Sequence, residues 1–502
     1  MRDTREPPLR CGGPVRQSDM LDAPEAERPA AAVGSPTRRL TAGLMLGVGV
    51  HAMEGFSVYT ALPALTTELD ARPLYGAVIT TYMLASLVGL VWAGVRTDVH
   101  GPSATLRVGL ASVALGLAGA TLAPTVEVLL AFRCFQGFGG GALTTVIYAA
   151  VHQAYPRERW AQTLAFLSLA WGVSAVAMPG LLGLIVDHLH WRLVFALGLP
   201  VAGLAALLIL PALAQLAAQP ASVAAHADRS ERATRRSPRA LALSLSAVVV
   251  GGALVLHGTA LSSLPPVATL LVLLGAAAAV LVGLVRLWPA GVLTLRAGLP
   301  AAVGVKALAC ALFFGSEAHL PLAITDVHQR GSTFVGFVLT AAAMAWSSAA
   351  FLQARLLPRL GPARVTLLGV VAIGLGVGGL LLLLVPGTSP YLALPLWALS
   401  SAGMGFVYNT TSDSALAATC EGDSGATGTA LGISDSVGAA FGAGLASALL
   451  NNAAPRLTEG LAHGWLALLA LALPMALGAS RLGGPATLTS RDAAAGPPGP
   501  TP

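Results

Sequence analysis

Fourteen stretches of this chain run for about twenty residues with little charge, the length a helix needs to cross the ~30 Å hydrocarbon core of a bilayer. They lie at roughly 40–66, 74–95, 104–123, 126–150, 160–186, 191–211, 240–258, 266–286, 300–324, 333–354, 363–385, 391–416, 424–451 and 461–480. In lipid, every backbone N–H and C=O must be satisfied within the protein, which leaves only helices or a closed barrel. The runs lack the polar/apolar alternation of barrel strands. The chain is therefore expected to be an all-α polytopic membrane protein with 14 spans. Composition agrees: 10% of residues are charged, against about 25% in a soluble domain.

The net charge of +6 reflects orientation. Cytoplasmic loops collect Lys and Arg. With the N-terminus inside, 23 arginines fall in inner segments. Four, Arg72, Arg192, Arg330 and Arg456, fall in outer ones. Both termini are thus expected in the cytoplasm and the protein in the plasma membrane, as a monomer within the lipid bilayer. No basic patch interleaved with aromatics suggests nucleic acid. Cys11, Cys134, Cys310 and Cys420 are scattered and form no metal-ligand spacing. No Walker A sequence, nucleophile elbow or zinc-ligand helix occurs, so neither an enzyme nor a cofactor is expected.

The chain divides at its polar segments. Residues 1–39 read as a cytoplasmic tail, 40–211 as a first six-helix half and 212–239 as a cytoplasmic linker. Residues 240–286 read as two inserted helices, 300–480 as a second six-helix half and 481–502 as a disordered tail. A shift of 260 residues aligns Gly101-Pro102 with Gly361-Pro362, and Gly109, Gly116 and Gly119 with Gly369, Gly376 and Gly379. Such register points to a duplication. Duplicated halves meeting around a midplane site are a transporter architecture.

Charge inside a span is costly, so it marks candidate sites. The first run carries Glu54, nine positions before Pro63 of Ala61-Leu62-Pro63. The fourth carries Arg133, Gln136, Gly137, Gly139 and the small pair Gly141-Ala142. Gly94, Asp98 and Gly101 stand between runs two and three, and Pro179 and Gly183 in run five, ahead of Trp191-Arg192 and Phe195. The second half adds Glu317, His319, Tyr408, Asn409, Asp413 and Asp435. Lys306, the only lysine, is expected to snorkel to the interface from near the inner end of its helix.

These segments resemble the major facilitator superfamily, and within it the 14-helix drug:proton antiporters. The resemblance implies two six-helix halves plus two inserted helices. It implicates Arg133 and Glu54, where the family usually has Asp, in proton coupling, with Asp435 as a further proton site. The corresponding cavity helices would bring Tyr59, Gln136, Glu317, Tyr408 and Asn409 to a substrate. Gly94, Asp98 and Gly101 would form a conformational latch, although the family's basic residues are replaced by Val99, Pro102 and Ser103. The helix-5 antiporter motif keeps Pro179 and Gly183 but has Ser174, Met178 and Leu182 at glycine positions.

The implied function is export of a small amphipathic or drug-like compound in exchange for protons. Two alternatives remain open from the residues. One is a gradient-coupled carrier of a specific metabolite or lipid, and the other a non-transporting sensor or scaffold. Likewise, Glu54 and Arg133 can be read as purely structural. His51, three residues before Glu54, can be a relay or a hydrogen-bonded helix histidine, and Asp413 a site or a solvated helix end.

Overall fold

The computed structural model describes residues 38–155, 157–217, 238–256, 266–419, 424–453 and 456–482. Nearly all of the expected N-terminal tail and the middle of the expected linker lie outside the described residues, as does the C-terminal tail beyond Leu482. The described elements are helical. They are α1 (Arg38–Glu68), α2 (Tyr75–Leu122), α3 (Val126–Ala154), α4 (Arg157–His188), α5 (Arg192–Ala196), α6 (Gly198–Ala217) and α7 (Pro238–Leu256). There follow α8 (Pro266–Leu287), α9 (Leu299–Leu322), α10 (Ser332–Leu380), α11 (Ala393–Ala417), α12 (Ser424–Asn452), α13 (Leu457–Leu469) and α14 (Ala472–Ala479). Helix thus occupies both edges of the expected linker, through Ala217 and from Pro238.

The two longest elements cannot be straight spans. At 1.5 Å per residue, the 48 residues of α2 would reach roughly 72 Å, over twice the hydrocarbon thickness. Each is folded at a glycine. Gly101 has φ 78 and ψ 167, and Gly361 has φ 77 and ψ 164, a region that a side chain disfavours. A proline follows each glycine. With α2 and α10 each folded in two, every apolar run carries a helix; ten helical stretches among the described residues are long and apolar enough to cross a membrane, and the apolar parts of α7 and α8 are shorter.

The packing confirms the reversal at each fold. Along α3, Gly137 lies on the Tyr82 carbonyl and Gly141 on the Ser86 carbonyl. Thr145 Oγ1 donates to the Leu90 carbonyl at 3.3 Å, so the first pass of α2 runs parallel to α3. The second runs antiparallel: Gly109 meets Gly139, Gly116 meets Gln136 and Gly119 meets Phe132. The second half repeats the arrangement on α11. Ser401 Oγ donates to the Ala342 carbonyl at 2.7 Å and Gly405 lies on that of Trp346. Gly369 meets Gly403, Gly376 meets Ser400 and Gly379 meets Leu396. Lipid offers no hydrophobic drive between helices, so small residues that let backbones close up supply the attraction.

The halves α1–α6 and α9–α14 are tied toward one end. Arg72 pairs with Asp326, and Asn451 Nδ2 donates to the Pro73 carbonyl at 2.8 Å. Asp187 accepts the N–H groups of Ser332 and Thr333 at 2.8 and 2.7 Å. Those groups open α10, where a carboxylate also meets the positive end of the helix dipole. Deeper in, Thr340 Oγ1 donates to the Val176 carbonyl at 3.0 Å. Gly183 and Gly336 make this approach possible, since a Cβ on either would strike the Ser332 or the Pro179 carbonyl. The inserted helices α7 and α8 pack on each other and lie against α2 and α12.

Gly141→Val should therefore lower the unfolding temperature of the purified protein, reflecting at least about 2 kcal/mol of overpacking. Gly172→Ala, where a Cβ meets nothing within 4 Å, should leave it unchanged or raise it by up to about 1 kcal/mol of helix propensity. Equal behaviour of the two variants in a thermal scan would contradict the packing account.

Candidate functional site

Glu54 of α1 and Arg133 of α3 are both 2% exposed. Arg133 Nη1 donates to Glu54 Oε2 at 3.0 Å and to Gln136 Oε1 at 2.7 Å. Gln136 Nε2 closes the triangle on Glu54 Oε1 at 3.3 Å. Spacing of three places Arg133 and Gln136 on one helix face. Arg133 Nε donates to the Val78 carbonyl at 3.2 Å, and the guanidinium stands 4.3 Å from the Tyr82 ring centroid. The Tyr82 hydroxyl meets His51 Nδ1 at 3.2 Å, so His51 is hydrogen-bonded. The approach at Gly137 brings Val78 and Tyr82 within reach. Gln136 belongs to this cluster and is itself only 1% exposed.

A second ion pair lies in the other half, and it corrects one expectation. Lys306 does not snorkel. It is 3% exposed, with Nζ 3.4 Å from Asp435 Oδ1 and 3.0 Å from Ser412 Oγ. It also sits 3.6 Å from the centroid of the Tyr408 ring. Tyr408 donates to Asp435 Oδ2 at 2.8 Å, and Cys310 Sγ lies 3.4 Å from Oδ1. The physical reason is depth. Lys306 is seven residues into α9, roughly 10 Å from its start, and a carboxylate on α12 offers a nearer partner than water. The lysine side chain is 4% exposed and that of Asp435 31%, so the carboxylate is the accessible member. Sequence reasoning missed the pairing, although a lone lysine in a chain of arginines was a signal.

Tyr59 lies within electrostatic reach of both Arg133 and Glu317. Glu317 is 5% exposed, within electrostatic reach of Tyr59 and next to Trp397. The Tyr59 hydroxyl is buried without a hydrogen-bond partner, whereas the Trp397 indole lies within hydrogen-bonding reach of Glu317. The repeat explains the position. Gly139 and Gly141 of α3 occupy the places of Gly403 and Gly405 of α11, so Trp397 is the counterpart of Arg133. Glu317 beside Trp397 is then the counterpart of Glu54 beside Arg133. The first half therefore gives its carboxylate a cation, and the second half gives its carboxylate an indole.

The remaining candidates are dispersed. Asn409 is half-buried beside Tyr408 on α11. Asp413 accepts from Gln353 Nε2 at 3.1 Å, which ties it to α10. His319 bridges the Gly315 carbonyl at 2.9 Å and Ser447 Oγ at 2.8 Å. Gly101 forms the fold in α2, whereas Gly94 lies in its first pass with open space around it. The side chain of Asp98 lies outside the described residues. Pro179 and Gly183 take part in the approach of α4 to α10. The Trp191-Arg192 pair acts at a helix end instead. Trp191 Nε1 donates to Glu68 Oε2 at 2.8 Å, and Arg192 pairs with the same carboxylate. Together they fasten α5 to the end of α1.

The Major Facilitator Superfamily profile matches residues 44–447. Multidrug resistance protein 3 of Bacillus subtilis is 29% identical over 174 residues, 35% of this chain and 34% of that one. A probable multidrug-efflux transporter of Mycobacterium tuberculosis is 28% identical over 163 residues, covering 32% and 35% of the two chains. The chain thus spans about a third of the length of these relatives. Among solved structures, the xylose transporter of E. coli, in a partially occluded inward-open conformation, aligns with TM-score 0.57 and 11% identity. That alignment covers 88% of this chain and 96% of that one. A POT peptide transporter aligns with TM-score 0.61 and 15% identity, covering 88% and 94%. At these identities the structural likeness establishes the fold.

The Lys306–Asp435 pair generates a stability prediction. Breaking a buried pair from one side leaves an uncompensated charge and costs about 3–5 kcal/mol, whereas removing both charges costs far less. The partial exposure of Asp435 reduces the penalty for stranding it. Asp435→Asn, which strands buried Lys306, should then destabilise more than Lys306→Met. The double variant should recover at least half of the loss. Additive losses in a double-mutant cycle of unfolding temperatures would show that the two side chains are not coupled.

Proposed function

This chain belongs to the Major Facilitator Superfamily, and we propose that it exports a small amphipathic or drug-like compound in exchange for protons. It is a multi-pass membrane transporter and not an enzyme. The observation that carries the finer reading is the Glu54–Arg133–Gln136 cluster. A carboxylate that can take up a proton is held against a cation that keeps other partners when the charge is lost. Protonation of Glu54 would weaken its bond to Arg133 Nη1. Arg133 would still hold the Val78 carbonyl, Gln136 and the Tyr82 face. The switch therefore does not strand a bare cation in the membrane.

In this account the halves rock about the cavity between them, as a monomer in the plasma membrane with both termini cytoplasmic. The arginine distribution supports an outer position for the tied end; on that reading the state described is closed to the exterior. Glu54 is sealed in it and exchanges protons with the exterior only after the ties at Arg72–Asp326 and Asp187 release. Asp435, with Lys306 and Tyr408, is the second proton-sensitive point. Tyr59, Glu317, Tyr408 and Asn409 border the substrate path, and Gly94, Asp98 and Gly101 contribute a latch at the opposite end. The names of the two efflux relatives support a drug-like cargo.

The test uses inverted membrane vesicles with an imposed pH gradient. Addition of a transported cationic dye should release protons in the parent. Glu54→Gln should reduce that release at least tenfold while the protein remains folded. Unchanged dye-induced proton movement in Glu54→Gln removes Glu54 from the mechanism.

A further inference from the structure

Between the inserted helices and the second half lies a lateral cavity of about 460 Å³. Its walls are apolar, with Val248 on α7, Leu284 on α8, Trp288 just beyond the end of α8, Ala307 on α9 and Phe441 on α12. Along α8 and one residue past it, the cavity extends from Ala277 to Trp288, about 17 Å at 1.5 Å per residue. That is close to half of a ~30 Å hydrocarbon core, the depth of one leaflet's acyl chains.

The Trp288 end of the cavity is positively charged. Residues 288–298 fold over it, with Val292 and Leu295 in the lining. Arg286 precedes this segment and Arg296 lies within it, and both are exposed. Arg481 is anchored to the same segment, its Nη1 donating to the Thr294 and Leu295 carbonyls at 2.8 and 3.0 Å. α9 begins there with no acidic residue in its first turn, so the positive end of its dipole adds to the field. No Asp or Glu occurs between Glu231 and Glu317, a stretch that includes α7, α8, this segment and most of α9. Finally, the Trp288 ring lines the cavity.

We propose that this cavity is a binding site for an anionic phospholipid of the leaflet at that end. One acyl chain fills the apolar slot. The phosphate is drawn to Arg286 and Arg296, and the Trp288 ring packs against the chain at the level where tryptophan favours the bilayer interface. The commitment to an anionic lipid rests on the charge. An uncharged acyl chain would need neither arginine, and a peptide segment would not require a carboxylate-free rim. The inserted pair thereby acquires a role, since α7 and α8 supply one wall of a lipid site that a twelve-helix arrangement would lack. The site is independent of what the protein carries.

The full-length protein can be tested in detergent micelles, titrated with phosphatidylglycerol or phosphatidylcholine carrying brominated acyl chains. Bromine quenches a nearby indole, and the difference between parent and Trp288→Phe isolates the signal of Trp288. Half-quenching should need about tenfold less phosphatidylglycerol than phosphatidylcholine, as expected for attraction by nearby arginines. Arg286→Gln with Arg296→Gln, both at exposed positions, should bring the two lipids to parity. Ala307→Phe should abolish quenching by either lipid, and Ala277→Phe, on the opposite wall, gives a second blocking variant if the first does not fold. Equal quenching by both lipids in the parent, or a preference that survives the double arginine variant, would overturn the proposal. So would undiminished quenching in a folded blocking variant.

Discussion

A carboxylate and a guanidinium sealed inside a membrane protein have no water to fall back on, and the first half is arranged around that fact. The Glu54–Arg133 contact at 3.0 Å persists because Gln136 bridges both groups and the Val78 carbonyl and Tyr82 ring hold the rest of the guanidinium. Those partners reach Arg133 only because α3 lies directly on the first pass of α2. That approach in turn needs glycine at Gly137 and Gly141, where any side chain would strike a carbonyl. The smooth helix face and the buried charge are thus one device: close backbones make a charge inside the bilayer tolerable.

The second half repeats the frame and changes the chemistry. Its two folded passes meet α11 as those of α2 meet α3, down to the turns at Gly101 and Gly361. Where Arg133 stands in the first half, Trp397 stands in the second, and Glu317 takes the place of Glu54 without gaining a cation. The charge balance is restored elsewhere, by Lys306 and Asp435. The two ion pairs therefore do not mirror each other. Arg133 lies roughly 10 Å from the tied end and Lys306 roughly 10 Å from the opposite end, counted along their own helices. The two pairs thus sit toward opposite ends of the bundle.

Much of this was legible in the sequence because it is local. Span length, the Gly-Pro turns, the glycine face of the fourth helix and the costly charges at Glu54 and Arg133 follow from neighbours in the chain. The partner of Lys306 was not legible, since it depends on the rotation of α9 and α12 about their axes, which residue spacing does not encode. The ties between the halves escaped for a related reason. Arg72, Asp187 and Asp326 are ordinary surface-type residues at helix ends, and only their meeting gives them a role. Gly94 stands at a motif position with open space around it, so it carries no steric demand in this state.

In the proposed mechanism the charge on Glu54 sets the balance between a state closed at the tied end and one open there. Pulsed electron paramagnetic resonance tests it most directly, with spin labels in the 69–74 and 328–331 loops of the reconstituted protein at a series of pH values. The account predicts two distance populations whose ratio changes with pH in the parent, and a single ratio at every pH in Glu54→Gln. The same pH-dependent redistribution in both proteins would contradict it.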